Sequence, residues 1–330
     1  MARPAGVIAR VGCAILVLSM LSAASAMGEP VDISAPGPQG ELKGTWLSAG
    51  DSTPVVLIVP GSGPTDRDGN NPLGVKAATY RLLAEGLAER GISSVRVDKR
   101  GMFGSAGAMP DANAVTIADY AADVHSWIGA IREKAGVSCV WVLGHSEGAL
   151  VALQAGQMPD GICGLLLVSG PGRKLGDVLR AQLQGNPANA PYLPQMLDAI
   201  ATLEAGGTVD TGSFPPAVAG LFAPAVQGFL RDLFSHDPAN LIANAAVPVM
   251  ILQGESDLQI GVGDARLLAD ARPDASLALI PHANHVLKVA PAGDFAANLS
   301  TYADPSLPLA PGVVDALAGF VLGSQTTRNR

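Results

Sequence analysis

A chain of 330 residues with 48% hydrophobic and 15% charged side chains is long enough for one α/β domain of about 200–250 residues plus an excursion, and too apolar for a disordered polymer. Its 39 glycines and 25 prolines follow no fixed period, which excludes a collagen-like fibre. The formal charge of −8 disfavours a nucleic-acid partner, because phosphates repel an acidic surface.

Residues 1–26 read as a secretory signal peptide: Arg3 and Arg10 precede the uncharged run Val11 to Leu21, and Ala24-Ser25-Ala26 supplies small residues for cleavage after Ala26. That run is short for a membrane helix, and no later segment offers about 18 uninterrupted apolar residues. The mature chain is therefore expected to have no stable membrane span and to be exported, periplasmic or extracellular. An uncleaved N-terminal anchor is the alternative. Loss of Arg3 and Arg10 takes 21 basic residues to 19 against 29 acidic ones, a formal charge of −10. Cys13 leaves with the leader. Cys139 and Cys163 remain, each just before an apolar run suited to one of two adjacent strands. Export permits a disulfide, and two buried thiols are equally compatible with the spacing, since sequence does not give a Cα separation.

Residues 27–171 read as the first part of an α/β core. A leading strand or hairpin near Leu42 to Leu47 comes first. The strand Pro54 to Val59 follows, then a Gly61/Gly63 turn and a helix over Val75 to Arg90, with an apolar face on Ala77, Tyr80, Leu83, Ala84, Leu87 and Ala88. Strand Ser94 to Asp98, a basic loop at Lys99 to Gly107 and a helix over Thr116 to Ala135 repeat the order. Strand Cys139 to Leu143, helix Ala149 to Gln157 and strand Ile162 to Val168 repeat it again. Such βαβ alternation predicts a mostly parallel sheet covered by helices on both faces. The rhythm breaks over 172–246, where helix candidates and turn-rich breaks predict a mainly helical cap. Residues 247–330 resume the core with strands Val247 to Leu252 and Ser276 to Ile280 and a last helix over Val313 to Leu322.

Gly61-Ser62-Gly63 lacks the third glycine of a dinucleotide turn and the lysine of a Walker loop, and no HExxH, compact Cys/His cluster or calcium loop occurs. No cofactor is expected. Gly144-His145-Ser146-Glu147-Gly148 is the most informative segment. It matches GxSxG between a strand and a helix, the context that puts a serine on a sharp exposed elbow. A serine nucleophile needs a base, and the base needs an acid that fixes its tautomer. Asp257 follows one late strand and His285 the next, so both belong to loops at the carboxyl end of the sheet. Glu255 and His282 are the rivals, closer to the strand ends. His145 is expected to point away from the nucleophile and to pack or hydrogen-bond around the elbow.

With Pro60-Gly-Ser-Gly-Pro64, Asp98-Lys-Arg-Gly101, Gly144-His-Ser-Glu-Gly148, Gly254-Glu-Ser-Asp257 and Asn284-His285 in this order, nearly all the mature chain resembles the alpha/beta-hydrolase superfamily. The likeness is to its secreted serine-esterase and serine-aminopeptidase-like members. The resemblance implies a catalytic triad of Ser146, Asp257 and His285, and an oxyanion hole from the backbone N–H groups of Ser62 and Glu147, with Gly63 as the alternative to Ser62. Phe103 stands where related loops often carry glycine, a departure expected to reshape the pocket edge. Asp98 and Arg100 are expected to pair or to fix their loop, and Asp66-Arg67-Asp68 to lie near the entrance, exposed to solvent. The expected activity is that of a serine carboxylesterase acting on a small-molecule acyl ester. An aminopeptidase and a non-catalytic binding protein on the same shell are the alternatives. An aminopeptidase requires an anionic rim, and 172–246 shows no close acidic pair.

Overall fold

The computed structural model of the chain describes Met1 and residues 28–291 and 293–328. The expected signal peptide, Met1 apart, lies outside the described residues.

Eight strands form one sheet: β1 (Val31–Pro36), β2 (Glu41–Leu47), β3 (Val55–Val59), β4 (Ser93–Val97), β5 (Val140–His145), β6 (Ile162–Val168), β7 (Val249–Gly254) and β8 (Ser276–Ile280). Their order is β1-β2-β4-β3-β5-β6-β7-β8. The β1–β2 hairpin joins β4 antiparallel, and the six strands from β4 to β8 run parallel, as the strand–helix alternation predicts. Every residue of β3, β5 and β6 is buried, the mark of strands covered on both faces. Alternate residues feed two cores. Val55, Leu57 and Val59 pack on one face, and Val56 and Ile58 on the other.

The helices are α1 (Thr79–Ala88), α2 (Ile117–Ala135), α3 (Glu147–Ala155), α4 (Leu175–Gly185), α5 (Leu193–Glu204), α6 (Pro216–Leu221), α7 (Gln227–Ser235), α8 (Pro238–Ala243), α9 (Val262–Ala271), α10 (Phe295–Ser300) and α11 (Val313–Arg328). Among the described residues no helix is long and apolar enough to cross a membrane. Thr116 and Asp119 close a reciprocal capping box at the start of α2. Helices α4 to α8 make up the insertion between β6 and β7. Most bounds shift by one or two residues from expectation, and a few shifts are informative. Helix α1 starts at Thr79 rather than Val75, because Asn71 bridges Val75 antiparallel and Ala78 adopts φ 52°, which stops a helix on its N-terminal side. Strand β7 reaches Gly254, and α11 continues to Arg328.

Cys139 and Cys163, whose pairing the sequence leaves open, are bonded, with an S–S distance of 2.04 Å and Cα atoms 5.1 Å apart. The bond joins the amino ends of β5 and β6, opposite the end at which Ser146 emerges.

Candidate active site

Strand β4 follows β3 on one side and β5 lies on the other, so the chain reverses direction across the sheet beside β3. A crevice opens at the carboxyl ends of strands at such a point, and the loops after β3 and β5 meet there. Ser146 stands between β5 and α3 with φ 57° and ψ −123°, a conformation costly for a residue with a Cβ and the one a nucleophile elbow imposes. The tightness of the turn explains its glycines. A Cβ on Gly144 lies 2.0 Å from the Gly148 carbonyl oxygen, and one on Gly148 lies 2.4 Å from that of Val59.

His285 Nδ1–H donates to Asp257 Oδ2 at 2.8 Å, which leaves Nε2 as the ring nitrogen able to take a proton. The Asp257 side chain is fully buried and collects further donors: the backbone N–H groups of Gln259 and Ile260 on Oδ1 at 2.8 and 3.0 Å, and Gln253 Nε2 on Oδ2 at 3.2 Å. Burial opposes its charge. His285 and the two backbone donors outweigh burial and hold the carboxyl below its ordinary pKa. Glu255 and His282 are exposed and face no part of the cavity.

His145 hydrogen-bonds around the elbow, as expected, in a buried chain. Its Nε2 lies 2.8 Å from the His285 carbonyl oxygen, so Nε2 carries the proton and Nδ1 accepts from the Tyr80 hydroxyl at 3.0 Å. That hydroxyl accepts in turn from the Gly61 N–H at 2.9 Å. Burial first, then the neighbouring His285, push the His145 pKa down to about 3. A neutral imidazole thus links the loop after β3 to the backbone of the His285 loop. Gly61 touches the elbow itself, since a Cβ there lies 3.1 Å from Ser146 Cβ.

Ser62, Ser146, Glu147 and His285 line one cavity of about 860 Å³. The turn Asn71 to Val75 and residues of α4, α7 and the β7–α9 loop complete its wall. Leu221, Phe229, Leu230 and Phe234 from the insertion face it, whereas Met196, Ile200 and Phe222 pack in the core. Among the described residues the single carboxylate on the wall belongs to Glu147, whose Oε2 accepts from the Ser62 hydroxyl at 2.9 Å.

Of the expectations about the charged and aromatic loops, one holds in part and two change. Asp98 and Arg100 do not pair with each other; of the two expected roles, Asp98 takes the second and fixes its loop through the Gly104 N–H. Asp98 accepts from Arg67 Nη2 at 2.6 Å and from the Arg67 and Gly104 N–H groups, while Arg100 holds Asp119 and Asp123 of α2. Asp66-Arg67-Asp68 is correspondingly half-buried rather than solvent-exposed. Phe103 lies outside the cavity wall and so does not shape the pocket edge. Its φ of 45° explains why glycine suits that place. Sequence reasoning missed Tyr80, which it counted only as core, and Lys99, which it left in a basic loop. It also missed Gln182, Gln259 and Tyr302 on the cavity wall, which no motif marks.

A model of the alpha/beta hydrolase family matches residues 55–298. Esterase EstD of Thermotoga maritima is 26% identical over 271 residues, 78% of this chain and 60% of EstD, so the chain spans about three fifths of that relative. Est1E from Butyrivibrio proteoclasticus with ferulic acid bound has a TM-score of 0.57 at 15% identity, covering 89% of this chain and 99% of Est1E. Proline iminopeptidase from Mycobacterium smegmatis has a TM-score of 0.57 at 15% identity, covering 90% and 100%. These two likenesses carry the fold alone. The family match spans well over half of the sequence and includes the GxSxG turn and the Asp257 and His285 loops: the chain belongs to the alpha/beta hydrolase family.

Proposed function

We propose that the chain is an exported serine carboxylesterase with Ser146 as nucleophile, His285 as base and Asp257 as the carboxylate that orients it. His285 Nε2 takes the hydroxyl proton as Ser146 Oγ attacks the ester carbonyl, and the Ser62 and Glu147 N–H groups receive the oxyanion. Collapse transfers the His285 proton to the departing alcohol. Water, deprotonated by His285, then attacks the acyl-enzyme and releases the acid.

The observation that carries the reading is the Asp257–His285 hydrogen bond opening on the same apolar cavity as the strained Ser146. The wall also favours an ester over an aminoacyl amide. A free amino terminus needs an uncommitted carboxylate, and Glu147 is engaged by Ser62 and Lys99. Export is supported by the pattern of residues 1–26 and by a disulfide, a bond that persists in oxidising compartments.

The test is turnover of a graded acyl-ester series beside aminoacyl amides, with Ser146→Ala as control. Ester turnover that Ser146→Ala abolishes in a folded protein is the expected result. Aminoacyl turnover alone overturns the ester assignment, and unchanged ester turnover in Ser146→Ala overturns the nucleophile.

A further inference from the structure

Lys99 and Glu147 are charged residues with side chains only 6% and 2% exposed, beside the cavity yet outside the triad. Lys99 Nζ donates to the Gly61 carbonyl at 2.8 Å and lies 3.6 Å from Glu147 Oε1. The other carboxylate oxygen accepts from Ser62 Oγ. Burying two charges is expensive, and a well-packed apolar pair is often as stable, so the pair calls for an explanation other than stability.

A trans peptide supplies one. The Gly61 carbonyl and the Ser62 N–H belong to the same planar unit and point in opposite directions. Whatever grips the carbonyl on one side aims the N–H on the other. Lys99 grips that carbonyl, and the Tyr80 hydroxyl takes the Gly61 N–H, so both polar groups of Gly61 are fixed by side chains from separate elements. Glu147 ties the Ser62 side chain from below, while its own N–H heads α3 next to Ser146.

We infer that Lys99 and Glu147 are positioning residues for the oxyanion hole, a buried ion pair that sets the Ser62 N–H and Glu147 N–H donors at a fixed mutual orientation before substrate arrives. The inference rests on Ser146 as nucleophile and deepens that reading. Burial pushes the Lys99 pKa down and Glu147 works against that shift, in keeping with a pair whose charges need each other.

Lys99→Met, Glu147→Gln, the double variant Lys99→Met/Glu147→Gln and Ser62→Ala test it, with p-nitrophenyl butyrate as substrate and Tm measured on each protein. A displaced donor costs more in the transition state than in the ground state, by up to about 10²–10³-fold in kcat for a donor lost outright. Lys99→Met is expected to lose about 10–100-fold in kcat with KM within about threefold of the parent. Each single charge change is expected to lower Tm by leaving its partner buried and unpaired. The double variant is expected to regain Tm but not kcat, a separation that a merely structural ion pair does not produce. Ser62→Ala keeps its N–H and deletes only the tie to Glu147, so it is expected to keep its Tm and lose about 5–10-fold in kcat. Parental kcat in Ser62→Ala and in the folded double variant overturns the inference, as does a kcat that recovers together with Tm. The two readings fail separately: undiminished turnover in Ser146→Ala sinks the nucleophile, whereas its abolition with parental kcat in the other variants sinks the clamp alone.

Discussion

Replacing Asp257 by asparagine keeps the size of the side chain and changes which way its hydrogen bonds run. Four donors converge on the carboxylate: two backbone N–H groups on Oδ1, and His285 Nδ1–H and Gln253 Nε2 on Oδ2. An asparagine has one acceptor oxygen and one NH₂ group to offer them. The backbone donors of Gln259 and Ile260 are held in their turn, so the amide oxygen takes the Oδ1 place and the NH₂ group faces His285. The imidazole then has to accept at Nδ1 and carry its proton on Nε2, where it cannot take one from Ser146. The wrong tautomer in a serine triad costs about 10⁴-fold in kcat, ~5.5 kcal/mol of barrier, and the same order is expected here. Gln253 Nε2 loses an acceptor and faces an NH₂ group, a mismatch of about 1–3 kcal/mol that lowers Tm by a few degrees. Steady-state kcat and KM on p-nitrophenyl butyrate, with circular dichroism melting on the same preparation, give the answer. A folded Asp257→Asn enzyme within tenfold of the parental kcat refutes the tautomer argument and the role of Asp257 with it.

Three further outcomes follow from the same geometry. His145 is neutral when folded, with a pKa of about 3 against an ordinary 6.5, so only the unfolded chain takes up its proton as pH falls between those values. Its contribution is intact above about pH 6.5 and erodes below it by at most ~1.4 kcal/mol per pH unit. His145→Gln keeps an acceptor and a donor without titrating, and urea unfolding between pH 4 and 6.5 is expected to show a shallower decline; an unchanged slope refutes the neutral chain through Tyr80. The disulfide closes a separation of 24 residues, for which loop entropy gives about 3.4 kcal/mol. Cys139→Ala/Cys163→Ala is therefore expected to melt roughly 5 °C lower, with kcat at 25 °C unaltered, because the bond sits at the opposite end of β5 from Ser146; equal melting temperatures contradict the entropy estimate. Gly144→Ala puts a methyl 2.0 Å from the Gly148 carbonyl oxygen, and loss of ester turnover with loss of soluble yield is expected; full activity in that variant shows that the elbow yields more readily than its geometry allows.

Much of the scaffold is legible because its signals are local. Strands β6 and β8 fall on the residues that β-branched and leucine-rich runs between turns designate, and α2 begins where Thr116 and Asp119 form their box. The start of α1 is not local. Val75 and Ala77 fit the helical period, but Ala77 is buried against Val286 and Tyr302, and Asn71 bridges Val75, so tertiary contacts take these residues out of the helix. The site divides the same way. GxSxG announces the elbow. The Lys99–Glu147 pair joins residues 48 positions apart, and Tyr80 reads as one more apolar member of a helix face until its hydroxyl is seen between Gly61 and His145.

The choice of His285 over His282 shows what sheet order adds to sequence order. Strand β8 stands three places from β5, with β6 and β7 between them. At about 4.8 Å per strand spacing, a side chain leaving β8 has to cross roughly 14 Å to meet one leaving β5. His282 is two residues past Ile280, an extended reach of about 7 Å, and His285 is five residues past it, about 17 Å. As upper bounds on the backbone's span, these leave the first short of the distance and the second beyond it. The segment does not run extended: the Ala283 N–H donates to the Ile280 carbonyl and His282 adopts φ 59°, so 280–283 is a turn that stays beside the end of β7, and the residues after it are anchored. Asn284 bonds Asn298 and Thr301, and the His285 carbonyl is held by His145. Asp257 starts one strand nearer, and three residues past Gly254 bring its carboxylate to the Nδ1 side of the ring. Shortening 281–284 by one residue removes the turn and shifts the Asn284 anchor, and is expected to abolish ester turnover while leaving β8 paired to β7. Turnover retained after that deletion shows that the loop has slack, and the reach argument against His282 fails.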